Sequence, residues 1–269
     1  MIDDQQAEVF INEMFDYYGY DFGGYSRASF KRRLERIYRI DGFRDLQEFL
    51  SKIRSDADYF KRVVEEITVN VTEMFRDPSV YKILREEILP SLRTKPFIRI
   101  WHAGCSTGQE VYSMAIVLKE MELLSKSILY GTDINELVLE TAKNGVFPLT
   151  LMKEYNDNYR DSGGKQDFSE YYTANYGLAK FDQSLSKRMV FSQHSLVSDR
   201  SFNEFDLIVC RNVLIYFDQD LQDRALSLFD ESLDKLGYLV LGSKETIKFT
   251  SVQKKYEQFK KEKIWKKIR

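Results

Sequence analysis

The sequence predicts an α/β chain: a parallel sheet with helices on both faces, preceded by a small all-helical part. Three observations predict it. From residue 97 onward short apolar strands alternate with helical patterns, the signature of a parallel sheet covered by helices. The first strand, Phe97-Ile98-Arg99-Ile100-Trp101, empties into His102-Ala103-Gly104-Cys105-Ser106-Thr107-Gly108, and a helix opens at once with Gln109-Glu110. Up to Thr68, by contrast, the apolar periods are helical throughout.

Helices are expected over Ala7–Tyr18, Ser26–Ile40, Asp45–Arg54 and Asp56–Ile67, joined by links carrying Gly19, Gly23, Gly24 and Gly42. They make a helical domain of residues 1–68, followed by a second domain of residues 69–269. There a helix over Pro78–Leu92 leads to the first strand, and Glu110–Leu124 (helix), Ile128–Thr132 (strand) and Asn135–Asn144 (helix) follow. The rhythm breaks over about 148–187. A polar stretch, Asp157–Gln166, reads as a mobile loop, and Phe168–Tyr176 is aromatic and β-rich, so a small antiparallel β insertion is expected. Strands Arg188–Phe191 and Phe205–Cys210, a helix Gln219–Lys235 and a strand Tyr238–Leu241 resume the pattern, and Tyr256–Phe259 with Ile264–Ile268 close it as a hairpin.

The turn after the first strand suits a nucleoside ligand. Glycines let the backbone approach a bound molecule, and the helix start supplies unpaired N–H groups. The next strand, Ile128-Leu129-Tyr130-Gly131-Thr132, ends on Asp133, an acid able to accept both hydroxyls of a ribose. Gly104 and Gly108 do not complete the G-x-G-x-x-G fingerprint, and Asp133 lies farther on than the ~20 residues typical of nicotinamide sites. No phosphate-loop lysine follows the glycines. S-adenosylmethionine, with adenine and ribose but no phosphate, fits best.

Composition narrows the field. A chain of 269 residues, 43% hydrophobic and 14% aromatic, is globular with ample core. Its net charge of −2 gives no reason to expect nucleic-acid binding. Cys105 and Cys210 read as interior, reduced thiols. The acidic start, Met1-Ile2-Asp3-Asp4, is no signal peptide, and no apolar run reaches the ~18 residues of a membrane span. A cytoplasmic protein, not membrane-inserted, is expected, and a monomer. With only His102 and His194 there is little material for a metal site or a serine-type triad. Both histidines are read as structural, and no metal is expected.

Four strings now stand together: Asn70-Val71-Thr72-Glu73-Met74-Phe75-Arg76-Asp77, Trp101 through Ser113, Gly131-Thr132-Asp133-Ile134, and Cys210-Arg211-Asn212-Val213-Leu214-Ile215-Tyr216-Phe217. They resemble the chemotaxis receptor methyltransferases, the CheR family, and the likeness runs over nearly the whole chain. It implies a class I methyltransferase (Rossmann-like) sheet. It also implies an enzyme that moves a methyl group from S-adenosylmethionine to glutamate carboxylates of a methyl-accepting chemoreceptor or similar signalling protein, leaving S-adenosylhomocysteine. The implied cofactor contacts are Asn70, Thr72, Arg76, Glu110, Asp133, Ser195, Leu196, Arg211 and Asn212, beside Gly104 of the turn. Two departures stand out: Ser195 replaces the family's frequent Asn, and Gln109-Glu110-Val111 replaces Glu-Glu-Pro while keeping the acid. The resemblance further implies that the insertion's edge, Tyr171–Tyr176, docks a short receptor peptide by strand addition.

The chemistry needs little beyond orientation. A glutamate of pKa about 4.3 is already ionised near neutral pH and attacks a methyl sulfonium without a general base, so alignment of oxygen, carbon and sulfur carries the rate. Arg76 is the candidate for holding a carboxylate, of substrate or cofactor. Tyr216 is the candidate for bordering the transfer zone, and Glu110 for pairing with the cofactor's ammonium. Cys105 has no partner base and reads as packing. On the helix over Ser26–Ile40, Arg32, Arg36 and Arg39 lie opposite the apolar stripe, either as a solvated face or as a dock for an acidic helical partner. The lysine-rich end (Lys254, Lys255, Lys260, Lys261, Lys263, Lys266, Lys267) reads as the polar faces of the hairpin. Besides the glutamate methyltransferase, two readings stay open at this point: a catalytically silent cofactor-binding regulatory module, and a methyltransferase of RNA or a small molecule.

Overall fold

The computed structural model describes residues 2–269; Met1 and the side chain of Lys260, parts of the acidic start and lysine-rich end above, lie outside the described residues. Four helices come first: α1 (Asp4–Tyr18), α2 (Arg27–Asp41), α3 (Leu46–Ser55) and α4 (Ala57–Ile67). The sequence writes their ends. Asp3, Asp45 and Asp56 each accept a backbone N–H from the first turn, and Gly19 and Gly42 take the left-handed φ of 73° and 71° that stops α1 and α2. Phe10, Met14, Phe30, Leu34, Phe49 and Val63, each at most 2% exposed, knit the four into a core of their own.

A continuous helix follows, made of α5 (Pro78–Ile83), one wider π turn over Leu84–Ile88, and α6 (Leu89–Leu92). The plain helix expected over Pro78–Leu92 is thus interrupted. Pro90 has no N–H for the carbonyl four residues back, and the Leu89 N–H bonds to Leu84 O, five back. Then come β1 (Ile98–Ala103), α7 (Gln109–Glu120), β2 (Ser127–Asp133), α8 (Glu136–Asn144), β3 (Val146–Pro148), α9 (Met152–Asp161), β4 (Tyr172–Asn175), β5 (Leu178–Phe181) and α10 (Gln183–Ser186). The chain ends with β6 (Met189–Gln193), β7 (Phe205–Cys210), α11 (Gln219–Ser232), β8 (Leu233–Leu241), β9 (Tyr256–Lys260) and β10 (Ile264–Lys267).

Seven strands form the main sheet in the order β6-β2-β1-β7-β8-β10-β9. The first five run parallel, and the closing hairpin is antiparallel. Alternation sends successive side chains to opposite faces. Leu207 and Val209 of β7, with Tyr238 and Val240 of β8, join the core under α5 to α7. Ile208, Cys210, Leu239 and Leu241 join the core under α11. Helices therefore cover both faces, as the sequence predicts. No helix among the described residues is long and apolar enough to cross a membrane.

Three expectations need correction. Residues Asp157–Gln166 are not a mobile loop: α9 runs to Asp161, with Tyr155 and Tyr159, one turn apart, 1% and 0% exposed, and the Gln166 N–H bonds the Tyr159 hydroxyl at 3.0 Å. Polar lettering around an i, i+4 aromatic pair hid an amphipathic helix. The helix expected to reach Lys235 stops at Ser232, because β8 begins at Leu233 and absorbs Leu236 at a left-handed φ of 65°. Phe97 stays outside β1 and is 62% exposed. The small antiparallel sheet is present, in the order β3-β5-β4, so it takes its first strand from residues 146–148 and leaves β4 at an edge.

One polar cluster ties this small sheet to the body. Glu120 of α7 accepts hydrogen bonds from the hydroxyls of Tyr159 and Tyr171, the latter at 2.9 Å, and pairs with Arg85 on its other oxygen. Both charged side chains are only about a tenth exposed.

Candidate active site

The carboxyl ends of β1, β2 and β7 open into a cleft, the usual ligand position in a parallel sheet. It is lined by every residue the sequence proposed for the cofactor and for transfer: Asn70, Thr72, Arg76, Gly104, Glu110, Asp133, Ser195, Leu196, Arg211, Asn212 and Tyr216. Tyr25, Ser29 and Phe30 of the helical part complete the wall.

The glycine turn is built by close approach. Gly104 has φ 73°, and a β-carbon there would lie 2.4 Å from Val213 Cγ2. Gly108, at φ 92°, would meet the Ala142 β-carbon at 2.8 Å. Between them Ser106 holds a left-handed φ of 50° without being glycine, and its N–H donates to Asp133 Oδ2 at 2.9 Å. The Asn135 N–H donates to Oδ1 at 3.0 Å. Asp133 is thereby fixed at the cleft floor, 9% exposed, and burial pushes its carboxyl above the usual aspartate range despite these donors.

Glu110, in the first turn of α7, is shared between His102 and Arg211. Its Oε1 lies 2.9 Å from His102 Nδ1 and its Oε2 3.2 Å from Arg211 Nη1. Burial opposes its charge, but the His102 hydrogen bond and the Arg211 charge outweigh burial and hold it below the usual glutamate range. Arg211 is 3% exposed and also donates to Asp77 and, at 2.9 Å, to the Arg76 carbonyl. Its guanidinium braces the 70–77 segment against Glu110. That segment carries Phe75 and Asp77 at left-handed φ of 54° and 53° on either side of Arg76, an arrangement held by the Phe75 N–H to Ser113 Oγ at 3.0 Å and by Asn158 to the Met74 carbonyl at 3.1 Å. Arg76 stands with Glu73 at 3.9 Å, 35% exposed, open to a ligand carboxylate. Burial first, and then Glu154 of α9, push Glu73 above the usual range.

Ser195 is engaged within its own turn: its hydroxyl accepts the N–H groups of Val197 and Ser198, both at 3.2 Å. Asn212 sits at φ 62° and is held by Glu245, which sequence reasoning missed. That buried carboxylate accepts the N–H groups of Asn212 (3.1 Å), Val213 (2.9 Å) and Gly242 (2.6 Å). Two of these three partners are backbone groups more than thirty residues away, so only a lone acid just past an apolar strand and a glycine could have signalled it. His102, read as structural only, orients Glu110. Of the arginines on α2, Arg32, Arg36 and Arg39 are exposed and lie outside the cleft. The α2 arginine whose charge reaches Tyr216, together with that of Arg76, is Arg33, on the flank between the stripe and the core.

Buried polar atoms with no partner among the described residues test whether a nucleoside cofactor fits: Ser106 Oγ, Asn212 Oδ1 and Arg211 Nε, all on cleft-lining residues. Such atoms are rare in native interiors unless a ligand or water meets them. Donor and acceptor capacity is thus left over around Asp133, which suits a molecule rich in hydroxyl, amine and carboxylate groups.

Comparison with known proteins decides the family. The CheR methyltransferase SAM binding domain matches residues 70–264, and the CheR methyltransferase all-alpha domain matches residues 5–68. The chain belongs to the CheR methyltransferase family. A CheR relative described as putative methyltransferase Cher3, from Pseudomonas putida, is 47% identical over 254 residues, covering 94% of this chain and 93% of its own. The chemotaxis protein methyltransferase of Listeria monocytogenes is 30% identical over 231 residues, 85% of each chain. Chemotaxis protein methyltransferase 1 of Vibrio cholerae is 29% identical over 266 residues, 95% of this chain and 94% of its own. The seven-stranded sheet is accordingly the class I methyltransferase fold, and this CheR protein is a methyltransferase of the S-adenosylmethionine-binding kind.

Proposed function

We propose that the protein transfers a methyl group from S-adenosylmethionine to glutamate side-chain carboxylates of a chemoreceptor-type signalling protein, giving glutamate methyl esters and S-adenosylhomocysteine. The observation that carries this reading is the meeting, in one cleft, of a ribose-type acid (Asp133), a partly exposed guanidinium only loosely held by Glu73 (Arg76) and a phenol (Tyr216), with an arginine-faced helix beside them. When bound, the cofactor supplies an electrophilic methyl group on a positively charged sulfur.

The chain's own residues bind and orient. Asp133 accepts the ribose hydroxyls. Glu110, kept ionised by His102 and Arg211, faces the ammonium of the amino-acid end, and Asn212 and Ser106 offer their unpartnered oxygens. Arg76 holds a carboxylate by a two-point contact. Tyr216 stays a neutral phenol, its ionisation opposed chiefly by burial, and borders the substrate side without acting as a base. A glutamate substrate needs none. The α2 stripe of Arg32, Arg36 and Arg39 supports docking of an acidic helical target, and the unpaired edge of β4 supports strand addition by a receptor tail peptide. This arrangement favours turnover over a silent binding module, since Arg76 and Tyr216 line the same cleft and the arginine's charge reaches the phenol.

The test is incubation with methyl-labelled S-adenosylmethionine and membranes from the protein's own host, followed by mild base. Label on a membrane protein, released as methanol, is expected. Tight cofactor binding with no transfer to any fraction would instead favour the silent module.

A further inference from the structure

Tyr25 sits where the helical part meets the sheet domain. Its backbone forms an antiparallel bridge with Phe217, flanked by the Ser26 N–H to the Tyr216 carbonyl at 2.8 Å and the Asp218 N–H to the Gly24 carbonyl at 2.9 Å. The ring is clamped edge-on between Phe22, at 4.9 Å between centroids, and Phe217, at 5.2 Å. It packs against both the four-helix core and the core under α11. An aromatic side chain fixed on both sides in this way has few rotamers to lose.

Packing explains the ring but not the hydroxyl. Tyr25 is half-buried and lines the cleft, and its hydroxyl makes no hydrogen bond among the described residues, which leaves it available to a ligand there. The side chain lines the cleft together with Asp133, whose charge reaches it. Burial, and after it that charge, keep the phenol protonated far above neutral pH, so it is a standing donor. A donor beside a carboxylate acceptor matches a ribose diol, whose hydroxyls give to the acid and accept from the phenol.

We propose that Tyr25 is a cofactor-binding residue, contributed by the helical part, that donates a hydrogen bond to the ribose of S-adenosylmethionine beside Asp133. The proposal rests on the reading of the cleft as the cofactor site and adds to it a consequence: the helical part is a wall of that site as well as a docking platform. Because α2 begins two residues later, at Arg27, the cofactor and the docking helix share one rigid segment.

Calorimetry with S-adenosylhomocysteine and with 5′-methylthioadenosine, which keeps the ribose and lacks the amino-acid end, tests it on the full chain. Tyr25→Phe should weaken both ligands by the same factor, about 3- to 10-fold, the worth of one hydrogen bond, while the ligand-free melting temperature stays at the wild-type value. Tyr25→Ala should cost more in both. Unchanged binding by Tyr25→Phe would overturn the proposal and leave Tyr25 as interdomain packing. Loss confined to S-adenosylhomocysteine would overturn it too, by placing the hydroxyl at the amino-acid end. Should wild type bind neither ligand, the cofactor reading itself would fall, and this proposal with it; a wild type that binds beside an unaffected variant sinks the proposal alone.

Discussion

Gly104 shows how one residue fixes the cleft. It combines a left-handed backbone with a neighbour 2.4 Å from where a side chain would begin. Gly104→Ala should therefore destabilise by about 1–3 kcal/mol and weaken S-adenosylhomocysteine at least tenfold as Val213 is pushed toward the ligand; urea unfolding and calorimetry read the two effects, and a variant normal in both would contradict the geometry. Asp133 adds a pH dependence with a definite sign. Its folded-state pKa is raised by burial above the ordinary 3.8, so the protonated form, poor at accepting ribose hydroxyls, persists to higher pH than in a free aspartate. Ligand affinity should fall as pH drops toward that raised value, and Asp133→Asn should bind weakly without this titration. Glu110 runs the other way: its lowered pKa contributes stability at neutral pH that fades only as pH falls below the ordinary 4.5 and through its folded value. The place of Asp133 in the cleft was legible because an acid ends the strand that follows the glycine turn. Glu245 was not, because its partners are backbone N–H groups that no side-chain pattern encodes.

Among the elements, α2 carries the clearest division of labour. Phe30, Leu34 and Ile37 bury one face, while Arg36 and Arg39 make only exposed pairs with Glu66 at 3.6 Å and Glu35 at 3.1 Å, contacts worth little to stability. Arg32→Glu combined with Arg36→Glu should thus leave the melting temperature and the S-adenosylhomocysteine affinity unchanged while raising the apparent KM for the protein target several-fold, more at low salt than at high. An unaltered KM would return the stripe to a plain solvated face. The helical period made this element readable to within a residue or two. The same method failed on α9, whose two inward tyrosines are outnumbered by polar letters, and on the π turn, whose cause is a proline two residues past it.

For the whole molecule, the alternation of strands and helices predicted a parallel sheet but not the order of its strands, since register and neighbours depend on long-range packing that local patterns do not carry. What the order creates is a cleft walled by both parts of the chain. Ligand binding should then stabilise the molecule as one unit: at a hundredfold excess over Kd, S-adenosylhomocysteine adds about 2.7 kcal/mol, and differential scanning calorimetry should show a single transition displaced upward by about 5 °C or more. Two transitions, only the later one displaced, would mean that the four-helix part takes no share in the site.

The Glu120 cluster sets a rule for how this chain can be rearranged. Tyr159 and Tyr171 belong to the segment between β3 and β5, whereas Arg85 and Glu120 belong to the body beneath it. Exchanging that segment for one without the two tyrosines would strip a nearly enclosed carboxylate of two of its three donors, each a loss of about 1–3 kcal/mol. The transferable unit is therefore discontinuous: a graft of the small sheet has to carry Arg85 of the π turn and Glu120 of α7 along with the strands it moves.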